Sequence, residues 1–196
     1  MKVYLAGPDV FLPDAIEVGR RKKALCERYG FVGLFPFDNE IPKQTRKRAD
    51  RLIFEANLAM MEQADAGVFN LTPFRGPSAD VGTVFELGLM SGLRKPVFGY
   101  TTVLAPLLAR VSGARRGEHG GWQDKDGYSV EDFGNADNLM IDGCLAREGN
   151  GIVRADGGGR LDDLEVFEAC LRLAAERLRT TLAHRAQAVG QADTRN

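Results

Sequence analysis

Val3-Tyr4-Leu5-Ala6-Gly7-Pro8 is a β-branched and aromatic run that stops at a Gly-Pro pair, and from about Asp14 to Tyr29 apolar residues recur at helical spacing until Gly30. The order is strand, loop, helix. Phe31 to Phe35, Ala66 to Phe69 and Pro96 to Tyr100 repeat the short apolar run between turn or polar residues, and Ile152-Val153 begins a further one. Helical patterns fall at about Gln44 to Gln63, Val81 to Leu93, Leu104 to Val111 and Leu161 to Ala186. The strands are continuously apolar rather than alternating, as strands buried on both sides are. The expected fold is therefore α/β, a flavodoxin-like doubly wound parallel sheet of about five strands with helices on both faces. Periodicity does not give the strand order.

A chain of 196 residues, 44% apolar and 27% charged, suits one compact domain, here expected over residues 1–186. Two stretches depart from the pattern. Residues 112–137 form a long Gly- and charge-rich connection carrying isolated Trp122 and Tyr128, either disordered or functional, and the small, polar residues 187–196 read as a loose tail. Gly157-Gly158-Gly159 reads as a turn before the last helix.

With 26 Lys and Arg against 27 Asp and Glu, the net charge of −1 gives no electrostatic footprint for nucleic acid. Arg20-Arg21-Lys22-Lys23 and Arg46-Lys47-Arg48 read as solvated helix faces. No apolar run approaches the roughly 20 residues of a membrane helix, and the N-terminal run is too short for a signal peptide. Cys26, Cys144 and Cys170 show no CxxC spacing and leave one unpaired in any disulfide scheme, so a reducing cytoplasm is expected. His119 and His184 have no ligand partner at metal spacing, and neither Gly7-Pro8 nor the triple glycine fits a phosphate or dinucleotide loop. No metal or cofactor is expected.

In open α/β sheets ligands settle beyond the carboxyl ends of the strands. Three loops there mix backbone-shaping residues with polar and aromatic ones: Ala6 to Phe11, Pro36-Phe37-Asp38-Asn39-Glu40, and Asn70 to Asp80. The third leads into Asp80-Val81-Gly82-Thr83-Val84-Phe85-Glu86-Leu87-Gly88, with Asp80 at an N-cap position and Glu86 in the second turn. Glu86 shares a helix face with Gly82 and Thr83. Gly82 and Gly88 each weaken a short helix by roughly 1 kcal/mol relative to Ala, which points to a need for space. From spacing alone, an exposed Glu on an amphipathic helix is the better account of Glu86, and Tyr4 reads as a core aromatic.

Taken together in order, Tyr4-Leu5-Ala6-Gly7-Pro8 with Phe11, Pro36-Phe37-Asp38-Asn39-Glu40, Thr72-Pro73-Phe74-Arg75-Gly76, Asp80 to Gly88, and Asn138-Leu139-Met140-Ile141 resemble the nucleoside 2-deoxyribosyltransferase family, in its kinetoplastid and bacterial branch. The resemblance spans roughly residues 2 to 175. It implies that Glu86 is the nucleophile on the anomeric carbon of a 2'-deoxynucleoside, that Tyr4 orients its carboxylate, and that Asp80 binds a sugar hydroxyl besides capping its helix. It implies substrate contacts from Gly7, Phe11, Asp38, Asn57, Phe74, Gly82, Asn138 and Met140, with deoxynucleosides and free nucleobases as ligands. Where several relatives carry an aspartate that protonates the leaving base this chain has Asn57, and an amide cannot act as an acid; Asp38 is the substitute candidate. The segment at Asn138 resembles one that enters a neighbouring subunit's pocket, which implies a homo-oligomer. Two alternatives remain: a deoxynucleoside 5'-monophosphate N-hydrolase, for which Ser78 is the evident phosphate donor, and a noncatalytic nucleoside-sensing module.

Overall fold

The structure, a computed structural model, describes residues 1–38, 49–118, 120–147 and 149–193, with side chains as far as residue 180. The strands are β1 (Lys2–Ala6), β2 (Val32–Leu34), β3 (Ala66–Asn70), β4 (Val97–Thr101), β5 (Arg115–Arg116), β6 (Trp122–Gln123), β7 (Ser129–Val130) and β8 (Ile152–Arg154). The helices are α1 (Ala15–Arg28), α2 (Ala49–Gln63), α3 (Val81–Gly92), α4 (Leu107–Arg110), α5 (Leu139–Ala146) and α6 (Leu164–Asp193).

β2, β1, β3, β4 and β8 pair in that order, all parallel. This is the flavodoxin-like order, in which the chain runs outward in both directions from β1 and β3 and leaves a crevice between their carboxyl ends. Every residue of β3 and β4 is buried, which explains their unbroken apolar sequence.

Side chains alternate across the sheet. Val3 and Leu5 of β1 pack with Val68, Phe98 and Tyr100 beneath α1 and α6. Tyr4 and Ala6 turn to the other face and join Met60 and Met61 of α2, Leu87 and Met90 of α3, and Ile141 and Leu145 of α5. Tyr4 is thus aimed at α3 by the register of the first strand.

α1 ends where the sequence places a stop, with Gly30 at φ 81 and the amide of Phe31 donating back to the Cys26 carbonyl. The expected start of α2 at Gln44 lies outside the described residues, as do Asn39, Glu40 and Arg46-Lys47-Arg48. α4 is shorter than the expected Leu104 to Val111. α6 begins after the expected Leu161 because the Asp163 side chain accepts from the amides of Glu165 and Val166 and so caps the helix there. It continues past Ala186 to Asp193, where a tail was expected; residues 194–196 lie outside the described residues.

The connection at 112–137 folds in part as an antiparallel meander, β5 to β7, with Arg116 opposite Trp122 and Trp122 opposite Val130. Trp122 donates its indole N–H to Asp132 at 2.9 Å, and the Arg116 guanidinium lies 4.6 Å from the Trp122 ring. His119 lies outside the described residues. No described helix is long and apolar enough to cross a membrane.

Candidate active site

The crevice at the ends of β1 and β3 is framed by backbone that must come close. A Cβ at Gly7 would sit 2.3 Å from Asp9 Oδ1 and 2.5 Å from Asn70 Cβ, so only glycine lets the loop after β1 lie against the end of β3. Beneath it is a buried polar network. Lys22 of α1 pairs with Asp9 at 2.6 Å, and the Asn70 amide donates to Asp9 at 3.2 Å and to the Leu161 carbonyl at 3.0 Å. Asn70 Oδ1 accepts from the amide of Thr72, which fixes the start of the third loop. Lys22 is 2% exposed, so its expected solvated position is wrong: it lies on the buried stripe of α1 with Ala15, Val18, Leu25 and Cys26. Its ammonium also sits 5.0 Å from the Phe167 ring and 5.6 Å from the Tyr100 ring.

Above this floor, Asp80 caps α3 as its sequence position suggests, its Oδ2 accepting from the amide and hydroxyl of Thr83 at 3.0 and 3.1 Å. One and a half turns later Glu86 is half-buried, and the hydroxyl of fully buried Tyr4 donates to its Oε1 at 2.7 Å. The Glu86 carboxyl is pushed up to about 7 by the balance of burial, which raises it most, the Tyr4 hydrogen bond, which lowers it, and the Asp80 charge, which raises it. Burial and the neighbouring carboxylate drive the Tyr4 phenol well above its ordinary value, so Tyr4 remains a donor. Gly82 is exposed, and a Cβ there would stand 3.1 Å from the capping oxygen of Asp80.

At the mouth, Phe11 and Phe74 stack on each other with centroids 5.2 Å apart and rings 4° from parallel, covered by the Arg75 guanidinium. Asp38 accepts from the Lys23 ammonium and, at 3.0 Å, from the Phe35 amide. With both oxygens serving as acceptors it is poorly arranged to donate a proton. Asn57 is half-buried on α2. Phe54 of α2 and Phe85 of α3 lie 6.4 Å apart and exposed.

Asn138 makes no described hydrogen bond to Tyr4, Asp80 or Glu86. It caps α5, its Oδ1 accepting from the Met140 amide at 3.0 Å and its Nδ2 donating to Glu131 at 2.7 Å. Met140, beside it, is 72% exposed. Two acids that sequence reasoning missed hold this corner. Glu131 also accepts from the Leu139 amide, and buried Asp137 accepts from the Ser78 hydroxyl and from the amides of Ala79 and Asn138. No sequence signal marks Asp137, whose partners Ala79 and Ser78 are 58 and 59 residues away. Among the described residues no group of three or more His, Cys, Asp or Glu side chains is placed to hold a metal ion.

A doubly wound sheet with a phenol-oriented carboxylate at its switch point is the framework of an α/β enzyme. The chain belongs to the nucleoside 2-deoxyribosyltransferase family, whose sequence profile matches residues 3–140, and it is a pentosyltransferase. It is 33% identical over 193 residues to an uncharacterized protein of Schizosaccharomyces pombe, covering 90% of this chain and 89% of that one. It is similar to the solved 2-desoxiribosyltransferase from Leishmania mexicana, with 29% identity, a TM-score of 0.65, and coverage of 89% of this chain and 97% of that chain. A conserved protein from Enterococcus faecalis shares the fold, with 18% identity, a TM-score of 0.51, and coverage of 88% and 97%.

Proposed function

We propose that the protein moves 2-deoxyribose from a 2'-deoxynucleoside to a second nucleobase through a covalent ester on Glu86. In the first half-reaction a Glu86 carboxylate oxygen attacks C1' from the face opposite the base. The C1'–N bond breaks, its electron pair leaves with the base, and the base takes up a proton from solvent. In the second, a nitrogen of the incoming base attacks C1' from the original face and loses its proton to solvent as the ester C–O bond breaks to restore the carboxylate. Two inversions retain the β configuration. The observation that carries this reading is the 2.7 Å bond from the Tyr4 hydroxyl to Glu86 Oε1, which holds one oxygen and leaves the other to attack.

Asp80 binds a sugar hydroxyl through Oδ1, since both of its described hydrogen bonds end on Oδ2. Phe11 and Phe74 stack on the base, Asn57 and Asp38 hydrogen-bond its edge, and Gly7 and Gly82 make room for the sugar. No cofactor takes part.

The active form is a homo-oligomer in which Asn138 and Met140 complete a neighbour's site. In support, exposed Leu139 and Met140 line an apolar cavity of about 580 Å³ between α3 and α5, and Val81 and Phe85 of α3 are exposed as well. Gly88 and Gly143, which line the cavity, have nothing within 4 Å of an added Cβ. The free state of Cys26, Cys144 and Cys170 suits a cytoplasmic enzyme of nucleoside salvage.

The deoxynucleoside 5'-monophosphate N-hydrolase reading is disfavoured by Ser78, whose hydroxyl is committed to the Asp137 carboxylate, a group that repels phosphate. The decisive experiment incubates the protein with a deoxynucleoside and a second base. A new deoxynucleoside, lost in Glu86→Ala, and an intact-mass increment of one deoxyribosyl group on the wild type are expected. Free deoxyribose without a new nucleoside would overturn the transferase, and binding without exchange or adduct would make the protein a sensor.

A further inference from the structure

One buried carboxylate connects two parts of the site that the chain separates. Asp137 is 1% exposed and receives four donors. The Ser78 hydroxyl and the Asn138 amide, the latter at 2.8 Å, reach Oδ1, while the Ala79 amide at 3.0 Å and the Arg110 guanidinium at 3.2 Å reach Oδ2. Arg110 is anchored in turn, donating to the carbonyls of Pro77 at 2.7 Å and Ala105 at 2.6 Å. Ala79 immediately precedes Asp80, the cap of the helix that carries Glu86, and Asn138 immediately follows Asp137. A charge-assisted, fully satisfied cluster of this kind has one low-energy arrangement and is costly to leave half-made.

We propose that Asp137 is a positioning residue that fixes at once the Asp80 and Glu86 helix start of its own subunit's site and the Asn138 that the subunit lends to its neighbour's. The inference rests on the shared-site reading above. Asp137 touches no substrate; it acts through the loop 77–80 on one side and through Asn138 on the other, so the two sites of a pair share a rigid link.

Mixed oligomers separate the two arms. A Glu86→Ala chain assembled with an Asn138→Ala chain has as its competent site the one combining Glu86 of the second with Asn138 of the first, and it sets the reference rate per assembled oligomer. Placing Asp137→Asn on the Asn138→Ala chain tests the link to Asp80; placing it on the Glu86→Ala chain tests the link to Asn138. In the latter mixture the chain holding the nucleophile is unaltered, so general weakening of the mutated chain reaches the chemistry only through the lent residue.

The expected result is a loss on the order of tenfold in each mixture, the scale set by small misplacements of positioning groups. A reference rate retained in either mixture overturns the dual role. No activity in the reference pair overturns the shared site itself, and with it this proposal, and is read before either arm. If Asp137→Asn does not yield assembled protein, Ser78→Ala on the Asn138→Ala chain removes one link of the first arm, and an unchanged rate there overturns the proposal equally.

Discussion

Tyr4 and Glu86, 82 residues apart in sequence, meet in a 2.7 Å hydrogen bond because β1 and β3 leave the sheet at its switch point and α3 starts beside it. The phenol stabilises the charged form of a carboxyl that burial holds at about 7. The attack proposed for Glu86 requires the ionised form, so the transfer rate is expected to rise with pH through about 7. Tyr4→Phe removes the group that lowers the pKa and moves this limb to higher pH. It also lowers the rate on the order of ten- to a hundredfold, the worth of a hydrogen bond to a charged group. A pH profile of initial rates for both proteins checks this, and an unmoved limb would contradict the assignment.

The same raised pKa makes Glu86 a liability to the fold. In the unfolded chain its carboxyl titrates at its ordinary 4.5, in the native state at about 7. Between those values the native state holds the proton more tightly, so a stability contribution present below about 4.5 is lost as pH rises through about 7. Glu86→Gln, neutral throughout, is therefore expected to be more stable than the wild type at pH 8. The gain is about 1 to 3 kcal/mol, allowing for solvent at a half-buried carboxylate, and it shrinks toward pH 5. Thermal melts of both proteins at the two pH values measure it.

The sheet was legible because its strands are unbroken apolar runs and its helices carry caps such as Gly30 and Asp80, both local signals. Tyr4 was legible only through its resemblance to a family, since a core aromatic and an orienting phenol look alike in sequence. Lys22 was misread because its neighbours Arg20, Arg21 and Lys23 are charged, although its spacing of four from Val18 and Cys26 puts it on the buried stripe. Asp137 was invisible because three of its four donors, on Ser78, Ala79 and Arg110, reach it only by tertiary packing.

Lys22→Met leaves the Asp9 carboxylate buried without its cation and is expected to destabilise the protein by about 3 to 5 kcal/mol. Adding Asp9→Asn removes the stranded charge and recovers part of that loss, because the Asn70 and Leu161 contacts survive. Urea unfolding of the wild type, single and double variants measures the coupling. Equal losses in the single and double variants would show that the pair is not what holds this floor.

Gly7→Ala is expected to act on function more than Lys22→Met does. The new methyl collides with Asp9 and with Asn70 Cβ, the latter held by three hydrogen bonds of its amide, so the loop after β1 must lift. Overpacking of this kind costs about 1 to 3 kcal/mol, and because the loop borders the crevice the transfer rate falls at least tenfold by misplacement. Wild-type activity with unchanged melting would show that the loop has slack.

Gly88 separates stability from assembly. It lies within α3 with open space around an added Cβ, so replacing it with arginine, a strong helix former, is expected to stabilise the isolated chain by up to about 1 kcal/mol. The same side chain projects into the apolar cavity between α3 and α5, where a second copy is proposed to dock. Gly88→Arg should therefore give a chain at least as resistant to urea as the dissociated wild type, eluting as a smaller species on size exclusion and carrying little transferase activity. Retained assembly would move the interface elsewhere on the surface, and a dissociated chain with full activity would show that each site is complete within one subunit.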